Sequence, residues 1–152
     1  MAQPGRTRRK DRDLVLCLRV RLREGTGLVS RGFLSSDPYC KVWVGPKGMM
    51  EPPEKGYYCS TVVEGTVNPT WGVASRPSQK SKELFEKVGA SFMVPLSSPN
   101  QDCWTFFWKE EDVIHVQVWH HGSSTDQYMG NTSFGLDIAK TEAQTVTKKV
   151  HN

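Results

Sequence analysis

The chain lacks any long apolar run, and its N-terminus lacks the apolar stretch of a secretory signal. A helix that spans a bilayer needs about 20 predominantly apolar residues, and no run here approaches that length. A secretory signal needs an apolar segment close to the N-terminus, where this chain is polar and basic instead. Both absences favour a cytosolic protein.

Internal repeats are also missing, and 152 residues suit one domain with a single hydrophobic core. The four cysteines lie far apart, without the C-x-x-C spacing of a zinc site. Cys17 and Cys40 lie inside apolar, strand-like runs, which predicts buried structural thiols. We therefore expect no metal or other cofactor, with a disulfide or a metal site as the less favoured alternatives.

The net charge of +4 is concentrated at the N-terminus. Residues 1–13 carry five basic and two acidic side chains, whereas the rest of the chain carries 15 basic and 14 acidic ones. We expect a basic, flexible tail over residues 1–12 and a nearly neutral domain over residues 13–150. The tail is either a solvated leader or a segment that is attracted to anionic lipid. Such attraction contributes about 1 kcal/mol per basic residue near the membrane surface. A nucleic-acid partner is not expected, because the sequence shows no basic stripe with stacking aromatics on the domain itself.

Alternating apolar residues predict several short β-strands. In the stretch LVLCLRVRLRE, five branched apolar residues fall on one face and three arginines fall on the other. A period of two is typical of a strand with one face in the core and the other in water. Similar runs separated by turn residues predict eight strands, at residues 14–24, 39–45, 57–65, 90–97, 103–109, 112–121, 128–138 and 145–152.

The segment SKELFEKVG interrupts this pattern. Leu84, Phe85 and Val88 share one helical face, and Gly89 suits a C-terminal stop, so we expect a short helix over residues 81–89. Eight short strands with turn signals between them predict an all-β fold. The predicted architecture is an eight-stranded antiparallel β-sandwich with a short helix in an inserted loop.

Five motifs follow one another along the chain: DLVLCLRVRLREGTGL, SSDPYCKVWVG, TVVEGTVNPTWG, DVIHVQVWHH and DQYMG. In this order and spacing, over roughly residues 13–140, they resemble a C2 domain, the calcium- and lipid-binding β-sandwich of protein kinase C and the synaptotagmins. The resemblance implies a non-catalytic docking module. It also implies three loops at one end of the sandwich that present about five aspartates, because Ca²⁺ needs six to eight oxygen ligands and several negative charges.

The resemblance assigns the calcium-loop positions to Arg31, Asp37, His120, Gly122 and Asp126. Two of these five are carboxylates, and Arg31 would place a guanidinium beside the ion. Two unit positive charges about 4 Å apart repel by roughly 4 kcal/mol at an effective dielectric constant of 20, and a divalent ion doubles this. We therefore expect degenerate loops and no calcium binding. Asp37 would serve the fold by accepting loop backbone N–H groups, and an ion pair with Arg31 is a further hypothesis.

The first loop carries Arg31, Phe33 and Leu34 at its predicted tip. An arginine beside two large apolar side chains can enter a lipid interface, as amphipathic anchors do. The alternative is that Phe33 and Leu34 pack against neighbouring loops. The sequence leaves both open.

In protein kinase C the concave face of the sandwich binds phosphoinositide, and the resemblance assigns Tyr39, Lys41 and Trp119 to that site. The family's other lysine positions fall on Trp43, Cys59 and Thr61. One lysine of about four is a weak phosphate cradle. The three arginines of the first strand either compensate for this loss or simply face water; they are Arg19, Arg21 and Arg23.

The sequence places no serine or cysteine for a histidine to activate, and no carboxylate as its partner. We therefore expect no enzyme. The sequence predicts a calcium-independent docking module that directs a larger cytosolic protein to anionic or phosphoinositide membranes, in trafficking or signalling. The alternative is a protein–protein interaction module without lipid binding. Its unusual surfaces would be an exposed Trp43, an exposed Trp71 and the loops at residues 46–56 and 72–87.

Overall fold

The computed structural model of the protein describes residues 16–29, 36–54, 56–72, 78–88, 102–135 and 144–151. Within these ranges the chain forms six strands and one helix, and every strand pair is antiparallel. The elements are β1 (Leu16–Arg21), β2 (Pro38–Pro46), β3 (Tyr58–Cys59), α1 (Gln79–Val88), β4 (Cys103–Trp108), β5 (Asp112–His120) and β6 (Gln127–Phe134). The predicted tail and the predicted strand at residues 90–97 lie outside the described residues.

The strands form two sheets with the apolar core between them. In one, β1 pairs with β4; in the other, the order is β3-β2-β5-β6. Alternate residues of both sheets point into the same core, such as Trp104 and Phe106 from β4, Val42 from β2 and Ile114 from β5. The predicted all-β antiparallel sandwich with one short helix is therefore confirmed. Among the described residues, none of the helical segments has the length and apolar character of a membrane span.

The alternation in β1 has the predicted register, but one of its residues was misassigned. Leu18 and Val20 pack against the core, while Arg19 and Arg21 are exposed. Cys17 shares the parity of the arginines and is exposed, so the prediction of a buried Cys17 is wrong. In a strand, parity decides the face, and the apolar neighbours of a residue do not. All four cysteines are free thiols.

Strand β2 is buried on both faces rather than one. Cys40 and Val42 point into the core, and Tyr39 and Trp43, on the opposite face, are only 1% exposed. Trp43 is covered because its indole stacks on the His115 ring at 5.3 Å and its Nε1 donates to the carbonyl of Met49, at 3.2 Å.

The predicted exposure of two tryptophans is therefore wrong. Trp43 is buried, and Trp71 is 4% exposed, with its Nε1 donating to the carbonyl of Thr61 at 3.0 Å. Trp71 belongs to the main core. Neither indole is available on the surface for a protein partner.

Helix α1 confirms the predicted helix but begins two residues earlier. Ser78 precedes it and caps it: its Oγ accepts the Ser81 N–H at 3.2 Å, and its carbonyl accepts the Lys82 N–H at 3.0 Å. Leu84 of α1 packs on Tyr39, Cys59 and Val62, outside the main core. The helix therefore covers part of the outer face of the four-stranded sheet.

Two predicted strands are shorter than expected. β3 has only two residues, because the Ser60 hydroxyl, rather than a backbone carbonyl, accepts the Cys40 N–H at 2.8 Å. The predicted last strand is not formed: in residues 144–151 it is reduced to an isolated bridge between His151 and Asn131. This segment packs on Gly130, where a Cβ would come within 2.5 Å of Val150.

A buried carboxylate joins three separate segments at one end of the sandwich. Asp102 is 0% exposed, and its oxygens accept the Thr61 N–H (2.7 Å), the Thr61 hydroxyl (2.8 Å) and the Gly72 N–H (2.8 Å). Burial raises the pKa of Asp102, and the three hydrogen bonds oppose that shift. Each acceptor is matched to a donor, so the group is satisfied despite its burial.

We expect Asp102→Asn to destabilise the protein by roughly 2–3 kcal/mol in urea unfolding. Either orientation of the amide would direct its NH₂ at a backbone N–H that now donates to the carboxylate. Asp112→Asn is the matched control, because Asp112 accepts one exposed backbone N–H, from Lys109. Its effect should stay within about 0.5 kcal/mol. Equal effects of the two substitutions would contradict this role for Asp102.

Candidate functional site

The predicted site residues lie in two neighbouring regions of the four-stranded sheet. Asp37 immediately precedes β2, His120 ends β5, and Gly122 and Asp126 lie in the loop between β5 and β6. The predicted concave-face residues, Tyr39, Lys41 and Trp119, lie on β2 and β5, where Tyr39 pairs with Trp119. The predicted loop tip, Arg31, Phe33 and Leu34, lies outside the described residues.

Asp37 is surrounded by donors from the protein itself. Its Oδ1 accepts the Gly65 N–H at 2.8 Å, and its Oδ2 accepts the ammonium of Lys80 at 2.5 Å. Its own backbone N–H donates to Nδ1 of His120 at 3.0 Å, and its carbonyl accepts the His121 N–H at 3.1 Å. The expected acceptance of loop N–H groups is confirmed. The cation observed at Asp37 is Lys80, and the hypothesised partner Arg31 lies outside the described residues.

Lys80 links helix α1 to the loops. Its Nζ lies 2.5 Å from Oδ2 of Asp37 and 3.6 Å from Oε1 of Glu64. Burial would raise the pKa of Asp37, but the hydrogen bonds from Lys80 and Gly65 outweigh it and hold that pKa below 3.8. The hydrogen bond to Asp37 in turn raises the pKa of Lys80 above 10.5. Both shifts favour the charged forms, so the pair is ionic at neutral pH.

Asp126 accepts hydrogen bonds from β2 and from its own loop, between β5 and β6. Its Oδ2 accepts the Tyr39 hydroxyl at 2.5 Å, and its Oδ1 accepts the Gly122 N–H at 3.3 Å. Nδ1 of His121 lies 3.1 Å from the same Oδ1, while Nε2 of His121 lies 3.9 Å from Glu83 of helix α1. The carboxylate of Asp126 is therefore directed into the protein.

The Tyr39 hydroxyl is fixed as a donor. Burial raises its pKa far above 10.0, and the hydrogen bond to Asp126 raises it further. The ring is 1% exposed, so the hydroxyl reaches only Asp126. Tyr39 thus forms part of the wall of the site, and its hydroxyl donates to Asp126 within the protein.

A cavity of about 280 Å³ lies on the outer face of the four-stranded sheet. It brings together the three predicted concave-face residues, a side chain of helix α1 and three residues of the loop between β5 and β6. The lining residues are Tyr39, Lys41, Leu84, Trp119, Ser124, Thr125 and Asp126.

Lys41 is the cation of this cavity. Its Nζ lies 4.5 Å from the centroid of the Trp119 ring and 5.8 Å from that of Tyr57. The Trp119 ring is in turn fixed by a hydrogen bond from its Nε1 to Oε1 of Gln117, at 3.0 Å. Cation–π contacts of this kind hold the ammonium at the aromatic wall without neutralising its charge.

The other positions that the family uses for lysine cannot reach a ligand here. Trp43, Cys59 and Thr61 are all at most 7% exposed. Burial raises the pKa of the Cys59 thiol to about 12, so this group is neutral as well. Arg19 and Arg21 lie on the other sheet and are exposed, so of the two alternatives for the first strand the structure favours side chains that face water over compensation at this cavity.

Sequence reasoning missed three residues of the site: Glu64, Lys80 and Leu84. Lys80 and Leu84 belong to the inserted segment, which none of the recognised motifs includes. Ser78 capping a helix with Lys80 in its first turn was the available signal. It indicates a helix, but it does not show on which surface that helix lies.

The C2 domain family model matches residues 16–82 and 92–150, which is most of the chain. The protein therefore belongs to the C2 domain family. C2 domains are membrane-binding modules and are generally non-catalytic. No curated protein matches the chain significantly.

Several solved structures are similar to this chain at low sequence identity. The C2A domain of plant extended synaptotagmin 1 is 14% identical with a TM-score of 0.49, over 77% of this chain and 66% of that one. The C2A and C2B domains of extended synaptotagmin 2, in a calcium-bound structure, give 13% and 0.47, over 77% and 33%. Human GIVD cytosolic phospholipase A2, in complex with an inhibitor and terbium chloride, gives 15% and 0.52, over 89% of this chain and 15% of the phospholipase. The chain thus spans less than two thirds of each of these proteins.

We expect Lys80→Met to lower stability at neutral pH by at most about 1 kcal/mol, because the Lys80 side chain is 40% exposed and water screens the pair. The difference from the wild type should be fully present between pH 3.8 and 10.5. It should disappear as the pH falls through the lowered pKa of Asp37, and again as the pH rises through the raised pKa of Lys80.

Urea unfolding at a series of pH values measures this difference. Lys82→Met, on the exposed side of the same helix, is the control and should change stability equally little at every pH. A Lys80→Met difference that does not vary at either pH extreme would contradict the ionic pair.

Proposed function

We propose that this protein is a non-catalytic docking module that binds anionic phospholipid surfaces without calcium and thereby targets a larger cytosolic protein in trafficking or signalling. The observation that carries the proposal is the ammonium of Lys80 at Asp37. The chain itself supplies a positive charge where a calcium-dependent module needs the ion.

The donor set does not suit calcium. Ca²⁺ takes six to eight oxygen ligands, several of them carboxylates. At the five calcium-loop positions, His120 and Gly122 provide no carboxylate, and the oxygens of Asp37 and Asp126 are already bound to protein donors. A calcium ion entering beside Asp37 would also meet the charge of Lys80, which at about 4 Å costs roughly 8 kcal/mol at an effective dielectric constant of 20.

The cavity that contains Lys41 is the proposed headgroup site. It presents one ammonium beside the indole of Trp119, and it is large enough, at about 280 Å³, for a small phosphorylated headgroup. The single lysine favours a singly charged phosphodiester over a multiply phosphorylated inositol, because each further phosphate needs its own cation. A phosphoinositide remains the second ligand to test.

The loop tip with Arg31, Phe33 and Leu34 is proposed as an additional anchor. In the sequence it follows β1 and precedes Asp37. Arginine pairs with lipid phosphate while the two apolar side chains enter the interface.

A protein-binding function without lipid is the second candidate. Burial of Trp43 and Trp71 removes its two proposed aromatic anchors. The loop after β2 still exposes Met50 at 58% and Met49 at 37%, and methionines suit adaptable protein contacts. If the module binds no vesicles, this methionine surface is the proposed contact for a protein partner.

We expect the wild type to float with vesicles that contain phosphatidylserine or phosphoinositide, equally with calcium and with a chelator, and not with neutral vesicles. Lys41→Met should weaken binding about twofold to fivefold, where fivefold corresponds to about 1 kcal/mol for one basic residue near an anionic surface. Lys47→Met, an exposed lysine in the turn after β2, is the matched control and should change binding less than twofold.

No flotation with any vesicle would favour the protein-binding candidate, and flotation that requires calcium would refute the proposal. Phe33→Ser with Leu34→Ser should reduce flotation if the loop tip inserts. Unchanged binding by that double variant would remove the anchor while leaving the Lys41 site in place.

A further inference from the structure

The outer face of the sheet formed by β1 and β4 carries an unusual set of exposed side chains. Pairing of the two strands places Arg19 opposite Thr105, Arg21 opposite Cys103 and Cys17 opposite Phe107. All of these residues point away from the core, because their neighbours Leu18, Val20, Trp104 and Phe106 fill it. Neither strand contains an acidic residue. We call this surface the arginine face and define it as Arg19, Arg21, Arg23 and Phe107.

Phe107 is the most unusual member of the arginine face. It is 77% exposed, more than any other large apolar side chain among the described residues. Thr105 beside it is exposed as well, so no neighbouring side chain in β4 shields the ring. A single exposed apolar residue is common on protein surfaces, so the position of Phe107 beside the arginines, rather than its exposure alone, is what matters.

The arginines lie on the same surface and within reach of one another. Arg19, Arg21 and Arg23 are all exposed; Arg19 and Arg21 lie about 7 Å apart along β1, and Arg23 follows the end of that strand. Nε of Arg19 donates to Sγ of Cys103 at 3.2 Å, which links that guanidinium to β4. Guanidinium groups bind phosphate oxygens through paired N–H donors.

From this combination we infer that the arginine face is a second docking surface for anionic phospholipid. The arginines bind the lipid phosphates, and the Phe107 ring enters the membrane interface beside them. The inference rests on the proposed membrane function. Charge complementarity selects the occupant: several guanidinium groups, no carboxylate on either strand and one protruding aromatic match a surface of phosphodiesters over apolar chains.

The arginine face and the Lys41 cavity lie on opposite sides of the sandwich. On β1, the core side chains Leu18 and Val20 alternate with the arginines; on β2, the core side chains Cys40 and Val42 alternate with Lys41. The two outward faces of packed sheets point in opposite directions. One flat membrane therefore contacts one face at a time, and the two surfaces act as parallel binding modes.

Parallel modes dictate the design of the experiment, because removing one leaves the other. The substitutions are therefore compared in the Lys41→Met background. There, Arg19→Gln with Arg21→Gln should reduce flotation with phosphatidylserine vesicles about threefold further, because binding through the weakened Lys41 cavity remains. Lys148→Gln with Lys149→Gln removes the same charge from the exposed C-terminal segment and should reduce flotation less than about 1.5-fold.

A local probe gives an independent readout. Phe107→Trp should show a blue-shifted emission with phosphatidylserine vesicles, relative to the wild type, and quenching by lipids brominated on the acyl chains. Val146→Trp, at a position 42% exposed in the wild type, is the control and should show neither effect.

The outcomes separate this inference from the proposed function. If the wild type floats but Phe107→Trp shows no blue shift or quenching, the arginine face alone is overturned. The same holds if the arginine pair and the lysine pair have equal effects on flotation. Failure of the wild type to float overturns both. Retention of a polyglutamate chain by the arginine face, without a change in vesicle binding, also overturns the inference in favour of an acidic protein partner. A thermal unfolding curve for each variant ensures that folded protein is compared.

Discussion

The contact on which the candidate site depends is the ion pair between Lys80 of helix α1 and Asp37 at the start of β2, 2.5 Å apart. It neutralises the Asp37 carboxylate and links helix α1 to the start of β2. The same helix carries Leu84 onto Tyr39, Cys59 and Val62. One short helix thus supplies both the cation at Asp37 and a wall of the neighbouring cavity.

The Lys80–Asp37 ion pair and the buried Asp102 carboxylate stabilise the fold by different interactions. Around Asp37 the interaction is ionic and partly exposed, so its contribution to stability is modest and sensitive to salt. At the Asp102 carboxylate, three hydrogen bonds in a buried site fix Thr61 and Gly72, and the contribution is larger because each donor would otherwise be unsatisfied. Thr61 lies in the same segment as Gly65, whose N–H donates to Asp37, so the Asp102 hydrogen bonds also position a donor of the electrostatic site.

Much of the fold could be predicted from the sequence, because alternation of apolar residues fixes which face of a strand is buried. The alternation in β1 predicted the correct faces for Leu18 and Arg19, and the apolar face with the Gly89 stop predicted helix α1. Burial of Trp43 and Trp71 could not be predicted, since distant segments cover those indoles. Lys80 was missed for a related reason: the sequence indicates a helix but not the surface on which it lies. The exposure of Cys17, by contrast, follows from its parity and was predictable.

The central proposal is that Lys80 takes the place of calcium at Asp37. Isothermal titration of calcium into the wild-type protein at neutral pH and low salt tests it most directly. We expect no saturable heat up to millimolar calcium. Stoichiometric binding in the micromolar range, abolished by Asp37→Asn, would contradict it.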